Sequence, residues 1–204
     1  MYVPFIANHD TDRAAGYLTV ASGHMSMAAN LYILSSGSPF LYYGEELGMR
    51  GSRGGANTDA NRRLAMVWGD GDTVADPEGA NYTAGQPESA AAQKADGSSL
   101  LSYYKRLLMI RKANPEIARG EYSALPFSGT KVGGFISTWN GSRVCVLHNT
   151  TVSAVTVDLS EVTDVSFDTL AAVIGYGQGE AEAALEGSVV TIPPQSSVVL
   201  RQAG

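Results

Sequence analysis

Apolar residues first gather at Tyr2-Val3-Pro4-Phe5-Ile6-Ala7, a short continuous run that reads as a buried strand and ends on three polar residues, Asn8-His9-Asp10. Met27, Leu31 and Leu34 then recur at steps of four and three. That period predicts a helix over residues 20–36, with Gly37 as its stop. A second apolar run, Pro39-Phe40-Leu41-Tyr42-Tyr43, reads as another buried strand, broken by Gly44 and followed by Glu45 and Glu46. Strand, helix, strand is the rhythm of a parallel α/β unit, whose strands deliver polar residues to one rim at their C-terminal ends.

The pattern loosens over residues 50–97, rich in Gly, Ala, Asn and Asp, with one compact island at Arg62-Arg63-Leu64-Ala65-Met66-Val67-Trp68. A loop this long inside a compact domain is functional or disordered. Periodicity returns from Ser99 to Lys112, where Leu101, Tyr104 and Leu108 share a face joined by Leu100, Leu107 and the stem of Arg111. Ser98 is placed to cap this helix, Arg111 and Lys112 suit its C-terminal dipole, and Asn114-Pro115 stops it. From about Gly120 the period becomes that of strands, at residues 131–139, 143–148, 152–159, 188–192 and 197–201, with 170–174 ambiguous. Asn140-Gly141 is a hairpin signal between the first two. Short strands separated by Gly and Pro turns predict an antiparallel sandwich of about 85 residues, able to fold by itself.

Composition narrows the function. The chain has 204 residues, 20 acidic against 14 basic, for a net charge of -6, with 44% hydrophobic and 17% charged. Such a chain is too apolar to be disordered throughout. Its acidity argues against nucleic acid or an anionic membrane as the main partner. A single cysteine, Cys145, allows no internal disulfide and no thiolate metal cluster. No apolar run approaches the roughly 18 residues of a membrane span, and no signal peptide is legible.

His9 and Asp10 are the sharpest candidates for chemistry. At a strand end, Asp10 offers two acceptors and His9 a donor and an acceptor, a combination that suits a ligand dense in hydroxyls; a turn made by Asn8 and Asp10 is the equal alternative. His9, His24 and His148 fall in three different elements, without metal-ligand spacing. Gly51 to Gly55 lacks the Gly-Lys-Ser/Thr of a phosphate loop. Glu45 and Glu46 sit just past a strand, where a cleft role and an edge salt bridge weigh equally. Tyr42, Tyr43 and Trp68 suit either sugar stacking or a core.

Read together, these stretches resemble the C-terminal part of an alpha-amylase family enzyme, of glycoside hydrolase family 13. Phe5-Ile6-Ala7-Asn8-His9-Asp10 is similar to the motif ending the seventh barrel strand, and residues 37–49, from Gly37 to Met49, to the eighth-strand segment. Asn61 to Trp68 resembles a following stretch that usually carries Pro where this chain has Ala65, and Ser99 to Pro115 the eighth barrel helix.

The resemblance implies an α+β, multidomain fragment: the last part of a (β/α)8 TIM barrel over residues 1–118, with the long loop 50–97, then an antiparallel β-sandwich over 119–204. It implies that Asp10 is a catalytic carboxylate that binds hydroxyls of the cleaved sugar, that His9 bonds the same sugar, and that Asn8 sets the turn. Arg13 either lies near the substrate or orients a neighbour, while Tyr43 and Glu46 are candidates for the cleft rim. The expected substrate is an oligosaccharide or α-glucan. The family's nucleophile Asp and acid Glu come from barrel strands four and five, outside this chain, so the isolated chain is expected to be inactive. No cofactor is expected, with calcium (Ca2+) reserved for the full-length enzyme. The expected partner is a missing N-terminal barrel portion, or a second copy met through bared strand edges. Cytoplasmic and secreted locations both stay open. The alternative is a non-catalytic carbohydrate-binding or structural fragment, for which Tyr122, Phe135 and Trp139 are the aromatic candidates.

Overall fold

The computed structural model describes residues 2–51, 58–71, 74–82, 85–128, 131–176 and 182–202. The chain opens on an extended segment that runs beside a second one at residues 38–43. Two backbone bonds join them, Ser38 N–H to Tyr2 O and Phe40 N–H to Pro4 O, both 2.9 Å, with the two segments parallel. No regular ladder forms here, in contrast to the two strands expected. In a parallel pair the residue at position 4 also returns an N–H bond, and Pro4 has none to give. Gly37 turns the chain into the second segment at φ +89°, where a Cβ would collide with the Tyr2 carbonyl oxygen.

Between them lies α1 (His24–Ile33), shorter than the expected span because Gly23, at φ +76°, starts it. Leu34 continues its buried stripe, but Leu31 is exposed. Two short helices, α2 (Thr58–Arg62) and α3 (Ala90–Ala95), interrupt the region read as one long loop. Then comes α4 (Leu100–Ala113), whose N-cap is Ser99, not Ser98: the Ser99 hydroxyl accepts the Ser102 N–H at 3.2 Å. Its buried face is Leu100, Tyr103, Tyr104, Leu107 and Arg111, one step round from the expected face, with Leu108 left outside. Arg111 does not serve its own helix end. Its guanidinium donates to the carbonyls of Ile33 and Ser35, at 2.6 and 2.7 Å, and to that of Gly37, closing the C-terminus of α1.

After α5 (Pro115–Arg119) the chain forms β1 (Glu121–Ala124), β2 (Val132–Trp139), β3 (Ser142–Asn149), β4 (Val155–Asp158), β5 (Thr169–Gly175), β6 (Ala184–Glu186), β7 (Val189–Ile192) and β8 (Ser196–Arg201). Among the described residues two antiparallel sheets result, ordered β1-β2-β3-β8-β5 and β4-β7-β6. Asn140 and Gly141, at φ 50° and 80°, make the expected hairpin turn. Between the sheets lie Ile136, Cys145, Leu147, Ile192, Val198 and Leu200. The opposite face of the larger sheet is apolar too: Phe135, Val144, Val146, Ile174 and Val199 pack against α1, α4 and α5 in one core with Met25, Ile33, Leu107 and Ile117. The sandwich therefore shares a core with the helices. Glu116 and Arg201 rivet the two parts, at 2.9 and 3.1 Å, and Ser142 donates to the same carboxylate at 2.7 Å. Burial pushes the Glu116 carboxyl up, yet Ser142 and Arg201 outweigh it and hold it below its ordinary range.

Candidate active site

The first extended segment ends in a tight corner. Asn8 builds it: its Oδ1 accepts the N–H groups of Asp10 and Thr11, at 2.8 and 2.9 Å, while its own N–H reaches the Thr11 hydroxyl at 3.0 Å. The corner throws His9 and Asp10 outward together, with side chains 62% and 67% exposed and Nε2 and Oδ2 3.2 Å apart. Two side chains that alternate along a strand thus face one opening because the strand has stopped.

Arg13 is placed differently. It is 2% exposed, its guanidinium 4.5 Å from the centre of the Tyr42 ring and 4.6 Å from that of Tyr43. Nε donates to Arg62 O at 2.9 Å and Nη1 to Tyr43 O at 2.7 Å. Burial lowers its pKa against the pull of Tyr43 and Tyr42. Tyr43 is partly exposed, but its hydroxyl is engaged by Leu64 O at 2.8 Å. Glu46 is half-buried on the 3-10 turn Glu45–Leu47.

The strongest carboxyl environment belongs to Glu45, which the sequence could not separate from its neighbour. At 3% exposure it accepts the hydroxyls of Tyr32 and Tyr104, at 2.5 and 2.9 Å, on the same oxygen, and Oε2 is buried with no partner among the described residues. Burial pushes its carboxyl up to about 7, over the opposing effect of the two phenols. A carboxyl at that value suits a general acid, but this one is walled off by α1 and α4, beyond a substrate's reach.

Sequence reasoning also passed over Arg62 and Arg63. Arg62, 3% exposed, pairs with Asp12 at 3.2 Å and Asp59 at 3.1 Å. Arg63 reaches the corner itself, with Nη2 3.3 Å from Asp10 Oδ1 and Nε 3.4 Å from His9 O. Their one signal was the Asn61 to Trp68 island, which carries no spacing that would assign either arginine. Gly51 bonds Arg13 through its carbonyl, and residues 52–55 of the glycine-rich stretch lie outside the described residues. Of the aromatic candidates, Phe135 is core, Tyr122 stacks on it at 4.8 Å, and Trp139 lies under Arg119 at 5.1 Å, so they form no common exposed row. His148 is buried against Ser197 at 2.7 Å, and its pKa falls to about 4 because burial disfavours the charged ring. No group of three or more His, Cys, Asp or Glu side chains suited to a metal exists among the described residues. The carboxylates nearest the corner, Asp10, Asp12 and Asp59, are paired to arginines, so this donor set does not fit a calcium cage.

An exposed carboxylate and imidazole at the end of an extended segment, on a helical layer that shares its core with a β-sandwich, make up the fold and the candidate site. The family model of the alpha-amylase catalytic domain matches residues 1–120, ending where β1 begins, and the chain belongs to that family. It is 31% identical over 164 residues to "Alpha-amylase SusG" of Bacteroides thetaiotaomicron, an alignment covering 76% of this chain and 23% of that one. A cyclomaltodextrinase of Thermoanaerobacter pseudethanolicus is 27% identical, over 77% and 22%. Among solved structures, Amy13B of Eubacterium rectale superposes with a TM-score of 0.82 at 32% identity, over 99% of this chain and 39% of that one. An alpha-amylase from H. orenii gives 0.74 at 28%, over 98% and 40%. The chain thus spans about a quarter of the length of these two curated relatives. Its fold class is the last part of a (β/α)8 barrel followed by an antiparallel β-sandwich.

Proposed function

We propose that this chain carries the sugar-binding corner of a retaining glycoside hydrolase acting on α-glucans or α-glucosides, with residues 1–118 as the barrel's share and 119–204 as the sandwich. One observation carries the reading: Asn8 folds the strand end so that Asp10 and His9 open side by side to solvent. An ionised carboxylate has about four lone-pair sites, and a vicinal diol on a sugar ring can donate to two of them. His9 donates to, or accepts from, a neighbouring hydroxyl. Tyr43 and Glu46 flank the cleft, and Arg13 holds the corner to the second segment.

Double displacement requires a nucleophile and an acid about 5 to 5.5 Å apart. Asp10 cannot fill both roles, and Glu45 is sealed away. We assign both groups, and any calcium, to the remainder of a longer barrel. The test is a graft: these 204 residues replace their counterpart in Amy13B of Eubacterium rectale, and release of reducing ends from a maltooligosaccharide is followed. The isolated chain should release none. The graft should be active and lose about a hundredfold to a thousandfold on Asp10→Asn, the order that removal of one transition-state contact can reach. A graft that stays fully active after the Asp10→Asn exchange sinks the assignment.

A further inference from the structure

Resting on that sugar-binding reading, we infer that Arg63 is a positioning residue of the corner, setting the direction in which the Asp10 carboxylate meets a sugar. The argument begins one residue earlier. At the end of α2 the backbone is clamped, since Arg62 O accepts from Arg13 Nε at 2.9 Å and from the Tyr42 hydroxyl at 3.3 Å. Its side chain is buried and tied to Asp12 and Asp59. With residue 62 fixed at both main chain and side chain, the next side chain leaves toward the corner. There one guanidinium holds two points, the main-chain oxygen of His9 and the side-chain oxygen Oδ1 of Asp10. Fixing a carboxylate relative to the carbonyl just before it restricts the Asp10 side-chain torsions. His9 Nε2 meets the other oxygen at 3.2 Å. Each carboxylate oxygen then has one protein partner, and the remaining lone pairs face the open side.

The planar fork matters as well as the charge. An ammonium is a single point and cannot span both acceptors in a fixed geometry. Asp59 Oδ2, 3.5 Å from the same Nη2, gives the guanidinium a second carboxylate partner.

The experiment titrates the 204-residue chain with maltotriose, following the His9 imidazole and the amides of Asn8 to Thr11 by NMR. The wild type should show saturable shifts. Asp10→Asn should abolish them, and Arg63→Gln should weaken binding by about tenfold or more, a change of about 1.4 kcal/mol. Arg63→Lys should stay several-fold weak, and full recovery by lysine would reduce Arg63 to a nearby charge and overturn the inference. Unchanged amide signals in β2 and β3 show that each variant is folded. Should Arg63→Gln disturb them, titrating the wild type in about 1 M salt replaces it. Salt at that level shortens the Debye length to about 3 Å and loosens exposed ion pairs. Maltotriose is neutral, so salt-weakened binding supports the clamp and salt-insensitive binding overturns it. If Asp10→Asn loses binding while Arg63→Gln keeps it, the inference fails and the sugar-binding reading stands. If the wild type does not bind, the inference fails, and the graft decides the sugar-binding reading separately.

Discussion

Two regions of this chain are apolar in sequence and opposite in burial. Strands β3 and β8 are covered on both faces, Val144, Val146 and Val199 against the helices, Cys145, Leu147 and Leu200 against the small sheet. The segments Tyr2 to Ala7 and Pro39 to Tyr43 are more apolar still, yet Tyr2, Phe5 and Phe40 stand 77%, 49% and 67% exposed. Apolar content alone does not bury a strand. A parallel strand is sealed by a neighbour on each edge and a layer on each face. Strand β8 has β3 and β5 as edge neighbours, whereas the opening segment has the second segment and two backbone bonds.

The sharpest way to break this contrast is Leu147→Ala, at a position fully buried between the sheets. Denaturant unfolding should show a loss of about 2 to 5 kcal/mol, because the lost transfer energy and the cavity add. A loss under about 1 kcal/mol would mean that the sandwich core is not what it is described to be.

Next in size is a pH effect at Glu45, on the helical side. Its carboxyl is held at about 7 when folded, against an ordinary value of 4.5. Below the lower value both states are protonated and the group costs nothing. As pH rises between the two, the unfolded chain ionises while the folded one keeps its proton, so stability falls. Above about 7 both are ionised and the loss is complete, at up to about 3 kcal/mol. Chemical denaturation from about pH 4.5 to about pH 8 should show this decline superimposed on other titrations, and Glu45→Gln should remove that component. Parallel curves for the two proteins would contradict the assignment.

The smallest expected effect is the most diagnostic of the comparison. Phe40→Ser should change unfolding stability by about 0.5 kcal/mol or less, as surface substitutions do. It should at the same time reduce any self-association seen by sedimentation, since Phe40 belongs to an exposed apolar stretch beside an open edge. A large loss of stability would place Phe40 in a core.

Much of the β-half was legible because its signals are local. Asn140-Gly141 demands positive φ wherever it stands, and the strands beside it were found to within a residue. Strands β1 and β6 escaped because they are short and largely polar-facing or exposed, and β5 stayed ambiguous because Leu-Ala-Ala-Val-Ile satisfies either period. In the candidate site, Asn8, His9 and Asp10 were readable from one tripeptide at a strand end. Arg62 and Arg63 were not, since they lie far away in sequence and reach the corner through α2.

By itself, then, the sequence determined the long helix α4, most of the sandwich strands, the hairpin, the family motifs and the Asn8-His9-Asp10 tripeptide on which the functional reading rests. These depend on residue type and short spacing. The tertiary structure alone decided which of two adjacent glutamates is buried, that Arg111 closes a helix other than its own, that Arg13 is a strut, and that sandwich and helices share a core. Each is a contact between residues distant along the chain, and its energy depends on burial and on the partner found there, which no local pattern encodes.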